Sequence, residues 1–205
     1  KNYYFKILII IFISFIIDNF LILTINSPPA WDQGYHLSNL FKMNNIYILN
    51  NGNIFDMWDS ALDITDNYRG PLTYLVSSFL LKFSGNSYLF AYLSNNIFNV
   101  ICIFSIYELG KLIKDKETGL IASIIFTLNP FIISQRTDYL IDLSLTSFSL
   151  ITFYSLSKWF FNCSKKPDYY SIISGFLLGF VFLVKPTGIF ILFAPIFLIF
   201  FKKLF

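Results

Sequence analysis

Apolar residues run along this chain in long blocks broken by short polar stretches. Six blocks are of a length to cross a bilayer, roughly 7–25, 87–110, 118–134, 139–161, 169–184 and 187–204. The third and fifth are short, and need a thinned bilayer, snorkelling ends or burial within a bundle. A further apolar stretch, 71–83, is only about thirteen residues long. It opens at Gly70-Pro71, closes at Ser84-Gly85 and is too short to span upright, so it is expected to lie at the interface as a helix. A second interfacial helix is expected from Gln33 to about Leu49, where Tyr35, Leu37, Leu40, Phe41, Ile46 and Leu49 recur at helical spacing. Ser27-Pro28-Pro29 ends the first span, and Asn50-Asn51-Gly52-Asn53 reads as a turn. The expected fold is all-α: a polytopic transmembrane helical bundle of about six spans plus two interfacial helices on the outer side. It forms a single module over 1–205, with an outer loop at 26–86. No internal repeat, Gly-x-Gly-x-x-Gly motif or P-loop is present.

Composition agrees. Of 205 residues, 56% are hydrophobic and only 13% charged, and mean hydropathy is +0.63. A soluble domain carries about 25% charge. The net charge of +3 is too small to suggest a nucleic-acid partner. Two cysteines, Cys102 and Cys163, and one histidine, His36, cannot build a zinc site and read as small hydrophobes and a polar lining group. Lysine placement orients the bundle. With 71–83 at the interface, one face collects Lys1, Lys6, Lys111, Lys114, Lys116, Lys158, Lys165, Lys166, Lys202 and Lys203. That face is expected to be cytoplasmic, with both termini, in a multi-pass cell membrane protein of bacterial inner-membrane type. The first residue is not Met and the last follows directly on an apolar run, so the chain is expected to be a piece of a longer protein. The first span lacks a small-residue cleavage site and reads as a signal anchor.

Ionisable groups at membrane depth cost about 2.5–3.5 kcal/mol each and usually pair or face a wet cavity. Here Asp32, Arg69, the Arg136, Asp138 and Asp142 group, and Lys185 all fall at outer ends of predicted elements. Four separate stretches thus deliver charge to one face, which suits a single polar cavity. Plainer roles are open for several: Arg136 could pair with Asp138, Lys185 could snorkel, and Asp18 could bond a neighbouring helix. Asp142 lies one helical turn beyond Asp138 on the same face. Asp56, Asp59, Asp63 and Asp66 read as a solvated loop, only weakly like a calcium loop.

Four motifs in order resemble the family 39 membrane glycosyltransferases, relatives of the dolichyl-phosphate-mannose protein mannosyltransferases and the lipid A aminoarabinose transferase. Asp32-Gln33-Gly34-Tyr35 matches the family's Asp-Glu pair and Tyr after the first span, with Gln for Glu. Arg69-Gly70-Pro71-Leu72 matches the Lys-Pro-Pro-Leu-like opening of an interfacial helix. Leu140-Ile141-Asp142-Leu143-Ser144-Leu145-Thr146 matches the Asp at the start of the fourth span. Gly175, Gly179, Leu183 and Lys185-Pro186-Thr187 match a Gly-rich span closing on Leu-x-Lys.

The resemblance implies a GT-C fold and transfer of a sugar from a polyprenyl-phosphate donor to a lipid, glycan or protein acceptor, outside the cytoplasm, by inverting displacement. It implies Asp32 as catalytic base and Asp142 as the group that orients donor sugar or cations. Arg69, Arg136 and Lys185 would take the donor phosphate, and Tyr35, His36, Asp138 and Tyr139 the substrate hydroxyls. No cofactor is implied with certainty, a divalent metal ion staying open. Such enzymes continue with further spans, so this stretch alone is expected to be inactive. A secondary transporter and a non-catalytic membrane scaffold are the alternatives; the lack of repeated halves weighs against the first.

Overall fold

A computed structural model describes residues 2–24, 29–49, 53–65, 69–82, 87–161, 169–193 and 197. Every regular element among them is helical, as expected of an all-α membrane bundle. The helices are α1 (Tyr3–Thr24), α2 (Trp31–Leu49), α3 (Ile54–Ile64), α4 (Leu72–Leu81), α5 (Tyr88–Leu93), α6 (Asn95–Ile113), α7 (Lys116–Leu128), α8 (Pro130–Thr137), α9 (Asp142–Phe161) and α10 (Tyr169–Val184). A 3-10 helix, Pro186–Leu192, follows.

Among the described residues, two helical stretches are long and apolar enough to cross a membrane, Tyr3–Thr24 and Tyr88–Ile113. A third crossing arises if α7 and α8, bent by 63° at their junction, count as one broken span. The bend follows from Asn129-Pro130: proline has no N–H to give, and the Asn129 side chain accepts from Phe131 N instead (2.9 Å). Helix α9 has 20 residues, but a stripe of hydroxyls runs along it. Ser144, Ser147 and Thr152 are buried and bond back to carbonyls of their own helix. The same small residues let neighbours come close. Ser144 meets Thr73 of α4 at 2.5 Å, and Ser155 meets Ser174 of α10 at 2.9 Å. Helix α10 has 16 residues, and most of the expected run at 187–204 lies outside the described residues.

The two stretches expected to be interfacial are helical, as α2 and α4. The aspartate-rich stretch differs from expectation, because Asp59 and Asp63 lie on helix α3 and not in a loop. Asn53 caps that helix by accepting from Phe55 N (3.0 Å), and Ala61 is buried with Leu40 and Met43 of α2. Asp59 and Asp63 are exposed, whereas Asp66, Asn50 to Gly52 and Cys163 lie outside the described residues. Cys102 is buried.

At the end of the bundle opposite α2 to α4, Glu108 ties three helices together. It accepts from Lys111 of its own helix (2.9 Å), Tyr4 of α1 (3.2 Å) and Tyr154 of α9 (3.3 Å). Next to it α6 and α7 form a tight hairpin. Asp115 caps α7 through Thr118 N (2.7 Å), and the backbones of Gly110 and Gly119 come into contact. A Cβ on Gly119 would collide with the Tyr107 carbonyl, whereas one on Gly175 meets nothing within 4 Å. Gly119→Ala is therefore expected to lower the thermal unfolding midpoint in detergent, by overpacking worth about 1–3 kcal/mol. Gly175→Ala should not lower it. Equal midpoints for the two variants would contradict this packing.

Candidate functional site

Two loops far apart in the chain meet at the α2–α4 end of the bundle. The Gly70 N–H donates to the Val184 carbonyl at 2.9 Å. The approach is so close that a Cβ on Gly70 would overlap the Leu183 carbonyl. Glycine is needed there for proximity, not for an unusual backbone angle. The bond sets Arg69, one residue before Gly70, beside Lys185, one residue after Val184.

Each cation faces a carboxylate. Arg69 Nη2 lies 3.7 Å from Asp32 Oδ1, and its guanidinium stacks over the Tyr35 ring at 4.4 Å. Lys185 Nζ donates to Asp142 Oδ1 at 3.1 Å. Asp32 lies in the first turn of α2 and Asp142 opens α9, so both occupy the positive end of a helix dipole. Arg69 and Lys185 are 28% and 30% exposed, Asp32 and Asp142 66% and 52%. Pairs this wet contribute about 0.2–1 kcal/mol, so holding the fold together is not their main use.

His36 sits behind them, one helical turn after Asp32, with Nδ1 2.6 Å from the Tyr74 hydroxyl. Burial lowers its pKa to about 4; Arg69 and Lys185 lower it too, while Asp32 and Asp142 act the other way. The same four charged groups that form the two ion pairs therefore bear on this imidazole. The neutral ring is what this setting favours.

The other expected site residues lie elsewhere. Arg136 is wholly buried against Asp18 of α1, 0% and 2% exposed, with Nη2 and Nε 2.9 and 3.0 Å from Oδ1. It pairs with neither Asp138 nor the exposed cluster. Asp138 ends α8, where its side chain accepts from Ser134 (3.3 Å) and its carbonyl from Asn95 (2.8 Å). Tyr139 is fully buried with Leu37, Tyr74 and Ile141, so it lines no open surface. Tyr74 was not singled out from sequence, since nothing in its spacing distinguishes it from its apolar neighbours. Gln33, which replaces a family glutamate, accepts from Tyr92 at 3.4 Å. Beside Asp142, a recess of about 160 Å³ is lined by Phe131, Ile132, Gln135, Leu143 and Thr146. Among the described residues no three His, Cys, Asp or Glu side chains gather to hold a metal ion. Asp32 and Asp142 each face a cation, Arg69 and Lys185 respectively.

The fold and its charged end together define an all-α membrane bundle with two carboxylate–cation pairs at one end. The family model for dolichyl-phosphate-mannose-protein mannosyltransferase matches residues 68–205, more than half of the chain, and the chain belongs to that family. It is a membrane glycosyltransferase of mannosyltransferase type. No curated protein and no solved structure matches it. The matched region contains Arg69, Asp142 and Lys185, and Asp32 precedes it.

Gly70→Ala should force the two loops apart. Lys185 should then react faster with an amine-directed label, read by peptide mass spectrometry, while Gly34→Ala, whose Cβ meets nothing within 4 Å, leaves its rate unchanged. Identical Lys185 rates in both variants would contradict the loop contact.

His36 gives a second test. The unfolded chain binds this proton near pH 6.5 and the folded chain only near 4. The contribution of this group to stability is therefore complete above about 6.5 and is lost as pH falls towards 4. As the chain has one histidine, labelled-histidine NMR should show one imidazole signal that does not move between pH 7 and 5. A midpoint near 6.5 would contradict its burial.

Proposed function

We propose that this patch transfers a sugar from a polyprenyl-phosphate donor to an acceptor hydroxyl at the non-cytoplasmic face, by single displacement with inversion. The observation that carries the proposal is the convergence of Arg69 and Lys185, each held loosely by a carboxylate. As the glycosidic bond to phosphate breaks, charge grows on the departing lipid phosphate. Two exposed cations on neighbouring loops suit that charge, the guanidinium offering two parallel N–H donors. The acceptor hydroxyl must lose its proton as it attacks. Asp32, the more exposed carboxylate, can accept that proton once Arg69 has turned to the phosphate. Asp142 holds Lys185 and borders the recess beside α8, which suits a role in seating the donor sugar. Neutral His36, bonded to Tyr74, braces α2 against α4, so that Asp32 keeps its place opposite Arg69.

The lysine-rich face at the Glu108 end supports a cytoplasmic position for that end, with the patch then facing outward. The acceptor class is a lipid, glycan or protein hydroxyl.

In the full-length protein, Asp32→Asn should reduce sugar transfer about 100-fold or more with expression and unfolding midpoint unchanged. Near-normal turnover would remove Asp32 as base. Arg69→Ala should weaken donor use more than Arg69→Lys, because the lysine keeps the charge and loses only the fork. Equal losses would argue against a phosphate contact. Labelling of single cysteines placed at Asn53 and Lys114 should occur from opposite sides of the membrane; reaction from one side overturns the orientation.

A further inference from the structure

The Asp18–Arg136 pair does something that the exposed pairs do not. At the α7–α8 junction Phe131 N is taken by the Asn129 side chain, so the Thr127 carbonyl loses its helical donor. Arg136 Nη1 replaces that donor at 3.0 Å. The same guanidinium donates to Asp18 Oδ1 of α1 through Nε, and Nη2 lies in ion-pair contact with that oxygen without making a hydrogen bond of its own. Asp18 Oδ2 also accepts from Ser14 (3.3 Å), whose oxygen accepts from Asn99 Nδ2 of α6 (2.7 Å). Asn95 of α6 donates to the carbonyls of both Arg136 (3.0 Å) and Asp138 (2.8 Å). One side chain and its backbone therefore join α1, α6, α7 and α8. The chain leaves this junction through residues 138–141 and arrives at Asp142.

We propose that Arg136, with Asp18, is a positioning residue that fixes the bend between α7 and α8 and thereby the place of Asp142 opposite Lys185. It does not touch the donor, because its guanidinium is committed to Asp18 and the Thr127 carbonyl and is wholly buried. Arginine suits this place, since its planar fork presents Nε to the carboxylate and Nη1 to the backbone carbonyl in fixed directions. Its effect on catalysis rests on the transfer reading above; its effect on geometry does not.

The test uses the full-length protein in lipid nanodiscs, with Cys102→Ser and Cys163→Ser and spin labels on cysteines introduced at Ser134 and Thr187. Asp18→Asn or Arg136→Gln alone strands a buried charge and should impair folding. The double variant removes both charges and should fold. In it the label distance should broaden and shift, and kcat should fall about tenfold to 100-fold with donor KM within about twofold. Arg136→Lys keeps the charge but not the fork and should give an intermediate distance and kcat, which covers a double variant that does not fold. An unchanged, sharp distance in the folded double variant, or wild-type behaviour of Arg136→Lys, overturns the proposal. So does a raised donor KM at unchanged kcat, the mark of a direct phosphate ligand. A wild-type protein without transfer activity overturns the transfer reading alone, and the distance still decides this one.

Discussion

The hydrogen bond from Gly70 N–H to the Val184 carbonyl is the contact on which the site depends. It joins the loop before α4 to the last residue of α10, stretches more than a hundred residues apart in the chain. Without it, Arg69 and Lys185 would be two solvated cations with no reason to act on one ligand. Because the backbones touch, no side chain other than hydrogen is accommodated at position 70. The charged patch is thus a consequence of close backbone packing, and the ion pairs on it are too weak to have assembled it.

Burial separates two uses of the same residue types. Arg69–Asp32 and Lys185–Asp142 are wet, and worth so little to folding that a phosphate can compete for their cations. Arg136–Asp18 is dry, and breaking it would cost about 3–5 kcal/mol by leaving one charge stranded. A buried pair is a poor stabiliser compared with apolar packing, but a rigid one. It stands where the helix breaks and a carbonyl is orphaned. The soft pairs sit at the exposed end of the bundle, and the hard pair sits where the backbone bends. Membership of a mannosyltransferase family is consistent with that division, because glycosyl transfer needs mobile partners for charge and fixed geometry for attack.

Much of this was visible in the chain itself. Helical spacing marked α2, and Gly70-Pro71 marked the start of α4 within a residue or two. The motifs around Asp32, Arg69, Asp142 and Lys185 named four residues that the fold then brings together in two pairs. Helix α3 was missed although its cap, Asn53, stood in plain view, because regularly spaced acids suggested a solvated loop. The partner of Arg136 was hidden for a deeper reason. Asp138, two residues on, is the partner that local spacing offers, whereas the real one lies 118 residues away and meets it only because α7 turns sharply into α8. The need for glycine at position 70 was equally hidden, since the obstruction comes from a carbonyl on another helix.

The most direct measurement is photolabelling in membranes with a polyprenyl phosphate whose reactive group sits beside the phosphate, followed by peptide mapping. If Arg69 and Lys185 share one lipid phosphate, label should appear on both the peptide around 69–72 and the peptide around 183–187, and unlabelled donor should displace it from both together. Label confined to one of those peptides, or spread only over the apolar helices, would contradict the account.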